Sequence, residues 1–213
     1  MRKLNTVTIG GVEFDVKLTL IIIMGTILPL IDRYNHRITG TKAYDRIILY
    51  LIIPIVVILL LFRERPAAYG FRLGEWRTGL MWTAAGCIGM ALILYFITQT
   101  PAMQKYYAAK APESTVYLLY ITAVDLFGWE FMWRGFLLFG LAAYLGPGAA
   151  IWLAAVPFAF MHLGKPEVET LSTIFGGAAF GFIAWQTGSM FYPFLIHWFI
   201  ASFTMLVASG RIG

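Results

Sequence analysis

Ionisable side chains are rare within the apolar segments of this sequence, and four of them could carry out acid–base chemistry. Glu130 and Arg134 stand four residues apart in one segment, so on a helix they share a face and can form an ion pair. His162 and His197 lie in two later apolar segments. A carboxylate with two histidines is a frequent catalytic or metal-binding set, whereas the ion pair alone is equally consistent with a purely structural role.

These side chains are expected to converge in the folded protein. A charge near the centre of a bilayer costs at least about 3 kcal/mol, so such residues face the interior of a helix bundle and find partners there. Asp125, a second carboxylate in the same segment as Glu130, is interpreted as a polar lining residue or a packing partner. The third histidine, His36, falls in a predicted loop.

Composition places the surrounding elements in a membrane. Hydrophobic residues make up 60% of the 213 residues, charged residues only 13%, and the mean hydropathy is +0.75. Soluble domains average about 45–50% apolar and about 25% charged residues. The sequence therefore predicts an all-α polytopic membrane protein, a bundle of about seven transmembrane helices of roughly 20 residues each.

The basic residues are predicted to contact lipid phosphates, because they lie between or beside the apolar segments. This placement excludes nucleic acid as a partner, despite a net charge of +5, and predicts membrane lipids instead. The single cysteine, Cys87, precludes an intrachain disulfide. The basic residues that lie between or beside the apolar segments are Arg33, Arg37, Lys42, Arg46, Arg63, Arg65, Arg72 and Arg77.

Two membrane regions are predicted. Residues 1–114 form an N-terminal region with about three spans, and residues 115–213 form a core of about four. Alternating apolar residues on both sides of Gly10–Gly11 predict a short β-hairpin, which we interpret as an ordered terminus in preference to an interfacial lid. The predicted spans are 17–31, 46–62, 79–98, 115–145, 148–162, 168–187 and 189–209.

Two features of the core spans need a structural explanation. The segment 115–145 would extend about 45 Å as a straight helix, so it must tilt, break near Gly128 or project from the membrane. The segment Gly177–Gly181 has a small residue at each end of a five-residue stretch, a pattern typical of close contact between membrane helices.

Three motifs together resemble the CPBP family, which comprises the type II CAAX prenyl endopeptidases and bacteriocin-processing relatives. They are Trp129–Gly135 (WEFMWRG), Phe158–His162 (FAFMH) and His197. The family pattern is EExxxR, then FxxxH, then HxxxN or HxxxD, on successive helices of a membrane-embedded core. The resemblance covers about residues 115–210.

The resemblance implies an intramembrane endopeptidase of the glutamic type, with no metal and no cofactor. Glu130 and His162 would position and deprotonate a water, and His197 would donate to the developing oxyanion. Arg134 would hold Glu130 in place and keep it ionised. The implied substrate is a membrane-associated peptide or protein, including prenylated ones, and the implied location is a prokaryotic plasma membrane.

The sequence departs from the family pattern at two positions. Trp129 stands where the family has its first glutamate, and Ala201 stands where it has asparagine or aspartate. Ser202 or Gln186 could replace the missing asparagine.

Three other functions remain as alternatives. One is a zinc peptidase with Glu130, His162 and His197 as ligands, although the sequence has no HExxH helix. Another is a non-catalytic protein of the same fold that acts as a scaffold, immunity factor or regulator. A transporter is disfavoured, because no paired broken helices or inverted halves are visible.

Overall fold

A computed structural model of the protein describes residues 6–34 and 38–212, so His36 lies outside the described residues. The described part is a bundle of seven helices that follows a short hairpin, which confirms the predicted all-α fold. The helices are α1 Val16–Arg33, α2 Lys42–Phe62, α3 Trp76–Ile97, α4 Pro101–Ala108, α5 Thr115–Phe160, α6 Glu167–Thr187 and α7 Phe191–Ala208.

Five of these helices, α2, α3, α5, α6 and α7, are long and apolar enough to cross a membrane. The seven predicted spans fall on six helices, because two of them, 115–145 and 148–162, belong to α5. The short helix α4 lies between the third and fourth predicted spans, 79–98 and 115–145. Pro101 occupies its first turn, where the fixed φ of proline suits a helix start.

The predicted hairpin is present. Strand β1, Thr6–Ile9, pairs antiparallel with β2, Val12–Asp15, across the turn at Gly10 and Gly11. Both glycines have positive φ, 59° and 82°, which a tight two-residue hairpin turn requires. Asp15 then caps α1, since its side chain accepts a hydrogen bond from the amide of Leu18 at 2.9 Å.

Helix α5 stays helical through Gly128, where a break was one of the expectations. Gly128 instead lets α2 approach α5, because a Cβ there would lie 2.7 Å from the backbone oxygen of Arg46. The break occurs at Gly146, whose φ of 76° and ψ of 162° are non-helical. Between these points, Phe131–Leu137 form a π-helical segment in which every residue is buried.

The close helix contact predicted around Gly177–Gly181 joins α6 to the last part of α5. A Cβ on Gly177 would lie 2.9 Å from the ring of Phe158, and one on Gly181 would lie 3.3 Å from Ile151. These small residues bring the backbone of α6 against α5 close to the predicted site.

Candidate active site

Glu130 is the most enclosed of the predicted site residues, with no exposed surface. Its Oε1 accepts hydrogen bonds from Arg134 Nη1 at 3.1 Å and from His197 Nδ1 at 2.6 Å. Its Oε2 has no hydrogen-bond partner among the described residues. Glu130 is the last residue before the π-helical segment, a type of distortion that is often found at functional sites.

Arg134 forms the ion pair with Glu130 that their spacing predicted. The Arg134 side chain is 2% exposed, and Nη2 donates to the backbone oxygen of Gly177 at 3.4 Å. Its guanidinium also lies over the ring of Phe158, 3.9 Å from the centroid, and 5.1 Å from that of Phe180. The surroundings of Arg134 therefore fix the position of the Glu130 carboxylate.

His197 joins the pair from α7, 67 residues along the chain. An ionised carboxylate can only accept, so Nδ1 carries the proton in the contact with Glu130. The second nitrogen, Nε2, is then the ring atom available to another group. This Glu–His contact resembles the carboxylate–histidine pairs that fix a tautomer in hydrolytic sites.

His162 lies just beyond the last residue of α5 and is not hydrogen-bonded to Glu130. Its Nδ1 lies 2.8 Å from the backbone oxygen of Phe158, which can only accept, so Nδ1 again carries the proton. Burial, followed by the charge of Lys165, lowers the pKa of His162 well below its usual range. The neutral ring therefore presents Nε2 as an acceptor.

Phe158 links the two histidines, a role that its place in the FxxxH motif did not specify. Its ring centroid lies 4.7 Å from that of His162 and 5.9 Å from that of His197. The same ring contacts Arg134. The predicted convergence of Glu130, Arg134 and both histidines is therefore present, partly through hydrogen bonds and partly through this phenylalanine.

A cavity of about 720 Å³ adjoins this cluster. Side chains from α2 to α7 line it, most of them apolar. His162 and His197 reach its wall, whereas Glu130 and Arg134 lie behind that wall. The lining includes Lys42, Arg46, Asp125, Trp129, His162, His197 and Ala201.

Asp125 belongs to a separate charged cluster on the same cavity. This position is compatible with both predicted roles, a polar lining residue and a packing partner. Its Oδ2 accepts from Arg46 Nη1 at 2.7 Å, and Arg46 also contacts Asp32 at 3.1 Å. Tyr50 donates to Asp32 at 3.0 Å. The prediction that Arg46 meets lipid phosphates is wrong, because its side chain is only 13% exposed and is held between two carboxylates.

The two departures from the family pattern both lie on the cavity. Trp129 packs between the Arg46 guanidinium, 4.2 Å from its ring centroid, and the His162 ring at 6.0 Å. Ala201 lines the cavity together with His197. Gln186 is exposed and lines a different, polar pocket with Arg72, so the prediction that it could replace the family asparagine is wrong.

Ser202 lies next to Ala201 in α7 but does not line the cavity. Its hydroxyl is buried and has no hydrogen-bond partner among the described residues. Within residues 6–34 and 38–212, no three side chains of the histidine, cysteine, aspartate and glutamate types are grouped so that they could hold a metal ion.

Comparison with known families agrees with this geometry. Residues 111–203 match the family model described as type II CAAX prenyl endopeptidase Rce1-like, and the matched region contains Glu130, Arg134, His162 and His197. Searches of curated proteins and of solved structures gave no match. The family supports a function of the intramembrane CAAX-protease kind in an integral membrane protein. Residues 111–203 of this chain are thus similar to an Rce1-like domain, which is consistent with the CPBP family.

Proposed function

We propose that this protein is an intramembrane endopeptidase in which Glu130 and a histidine activate a water without a metal ion. The observation that carries the proposal is the buried contact of 2.6 Å between Glu130 and His197, with His197 on the wall of a largely apolar cavity. The match to a protease family supports the same reaction class. The catalytic residues proposed are Glu130, His162, His197 and Arg134.

Hydrogen bonding suggests how the proton is moved. Both histidines hold a proton on Nδ1, so each neutral ring offers the Nε2 lone pair to a water in the cavity. As the water oxygen attacks the peptide carbonyl carbon, one of its protons passes to Nε2 of His197. Glu130 stabilises the imidazolium that forms, and this proton then passes to the leaving amine as the C–N bond breaks.

This assignment differs from the oxyanion role that the resemblance implied for His197. In its contact with Glu130 the Nδ1 proton is already engaged, so a neutral His197 has no further donor for an oxyanion. The methyl group of Ala201, one turn away, supplies none either. We therefore propose that the enzyme is slow, because an oxyanion donor is worth about 10²–10³ in rate.

The cavity also bears on the substrate. A volume of about 720 Å³ is within the range typical of ligand sites, and a predominantly apolar lining suits a substrate with a hydrophobic group. We propose a membrane-associated peptide or protein, with prenylated substrates included. Residence in a prokaryotic plasma membrane stays a prediction from the resemblance.

The test is hydrolysis of prenylated and unprenylated peptides by purified wild type, Glu130→Ala and Glu113→Ala. Glu113 is an exposed carboxylate outside the site and serves as the matched control. Wild type and Glu113→Ala should cleave at least one peptide, and Glu130→Ala should cleave none. Chelators should leave the activity intact, and loss of activity on chelation would favour the zinc alternative.

A specific observation favours a second candidate, a non-catalytic protein of the same fold. Trp129 and Ala201 replace two side chains of the family pattern, and both line the cavity. Absence of hydrolysis by wild type across the whole peptide panel would support this scaffold or regulatory function over the protease.

A further inference from the structure

The N-terminal hairpin, strands β1 and β2, is amphipathic. Its register pairs Val7 with Phe14 and Ile9 with Val12, so these four side chains lie on one face. All four are substantially exposed, between 42% and 66%. The opposite face carries Thr6, Thr8, Glu13 and Asp15. An isolated hairpin with one fully apolar, uncovered face is at most marginally stable in water.

Contacts at the start of α1 place the hairpin at the edge of a spanning segment. Lys17 is completely buried and pairs with Glu64 at 2.6 Å, two residues beyond the end of α2. Its ammonium group lies 5.3 Å from the ring centroid of Phe62, the last residue of α2. The strand residue Asp15 also accepts a hydrogen bond from Tyr144 at 3.0 Å. The hairpin is thus tied down where the apolar part of α2 ends.

The surfaces on both sides of the hairpin indicate what covers it. On α1, which follows directly, Ile22, Ile23 and Ile27 are about half exposed, as the lipid-facing side of a membrane helix would be. Arg63 and Arg65, on either side of Glu64, are exposed. Arginines just beyond the end of a membrane helix are placed to contact lipid phosphates. The hairpin, with its exposed apolar face, is thus followed directly by a helix with exposed isoleucines, and cationic groups lie near the ion pair that holds it.

We propose that the hairpin lies in the headgroup region of the bilayer, with Val7, Ile9, Val12 and Phe14 turned toward the acyl chains. Its partner is the lipid surface itself. Interfacial elements of this kind bury an apolar face in the boundary between headgroups and chains and keep a polar face in water. The hairpin lies outside residues 111–203, so this inference does not depend on the proposed protease function.

The test uses a fluorescent label on either face of the same strand. Ile9→Cys and Thr8→Cys are each made in a Cys87→Ala background, which removes the single native cysteine. Each variant is labelled and inserted into nanodiscs that hold one copy. Quenching is measured with lipids brominated near the headgroup and, separately, with aqueous iodide.

The label at Ile9 should be quenched several-fold more by brominated lipid than the label at Thr8, and iodide should show the opposite order. Equal quenching of both labels by iodide would overturn the proposal, because the hairpin would then lie in water. A label at Ile9 that is quenched by iodide in single-copy nanodiscs but is shielded from both quenchers in vesicles at high protein density would also overturn it. In that case a second copy of the chain, and not lipid, covers the face.

Discussion

Replacing Arg134 with alanine tests whether this arginine acts by holding a buried carboxylate. The wild-type guanidinium donates to Glu130 at 3.1 Å and packs against the Phe158 ring at 3.9 Å. The substitution removes both contacts. It leaves Glu130, with no exposed surface, bonded only to His197 among the described residues.

The expected loss of stability is large. Removing one partner of a buried ion pair costs about 3–5 kcal/mol, because the other charge is left uncompensated. At about 2–4 °C per kcal/mol for a chain of this length, the melting temperature should fall by roughly 6–20 °C. Hydrolysis should be lost as well, because the carboxylate that orients His197 is no longer held in place.

Thermal unfolding in detergent, followed by intrinsic fluorescence, measures this change. A double variant, Arg134→Ala with Glu130→Gln, separates the effect of the stranded charge from the lost packing. The neutral amide needs no cation, so the double variant should be more stable than Arg134→Ala alone. Arg77→Ala, at an exposed arginine at the start of α3, is the matched control and should shift stability by less than about 0.5 kcal/mol.

Two results would refute this reasoning. An unchanged melting temperature with lost activity would mean that Arg134 contacts the substrate directly. A double variant that is less stable than Arg134→Ala would mean that the stranded charge is not the source of the loss.

Further substitutions test the site and the packing separately. Glu130→Gln and His162→Ala should each abolish hydrolysis while the protein stays folded and membrane-inserted, and near wild-type rates in both would refute their catalytic roles. Ala201→Asn should raise turnover, by up to about 10²–10³ if the amide reaches the oxyanion, and an unchanged rate in an active wild type would show that another group already supplies the donor. Gly128→Ala should lower the melting temperature, because its Cβ would lie 2.7 Å from a backbone oxygen of α2. Gly89→Ala, which meets nothing within 4 Å, is its control and should not lower the melting temperature.

Local patterns predicted the parts of the structure that depend on neighbours in sequence. The two glycines at Gly10 and Gly11 were sufficient for the hairpin, because only a turn with positive φ joins strands so closely. The four-residue spacing of Glu130 and Arg134 was sufficient for their ion pair. Apolar runs of about 20 residues located the membrane helices.

Contacts between distant elements could not be obtained in this way. Nothing in the spacing of Glu130 and His197 says that α7 brings the histidine onto the carboxylate, while His162 turns to a backbone oxygen. The position of the break in α5 is a similar case. Gly128 and Gly146 are both candidates by residue type, but Gly128 is needed for the close approach of α2 and therefore stays helical.

Charge balance explains why Asp125 and Glu130 ended in different clusters. The predicted span 115–145 contains two carboxylates and only one arginine, and Arg134 pairs with Glu130. A carboxylate in an apolar span needs its own cation, so Asp125 required one from another helix. Arg46, the first residue of the predicted span 46–62, supplies that cation. It contacts Asp125 at 2.7 Å and Asp32 at 3.1 Å, and Lys42 lies 3.8 Å from Asp32.

Counted together, this second cluster holds two carboxylates, Asp32 and Asp125, and two cations, Lys42 and Arg46, so its formal charge is zero. The ion pair at Glu130 is balanced in the same way. The Asp32–Asp125 cluster and the Glu130–Arg134 pair can therefore each lie beside the apolar cavity without an uncompensated charge. Neither needs a cation from the other. Among the described residues, His197 therefore keeps its hydrogen bond to Glu130, which is the contact that the proposed reaction needs, and His162 keeps its hydrogen bond to the backbone of Phe158.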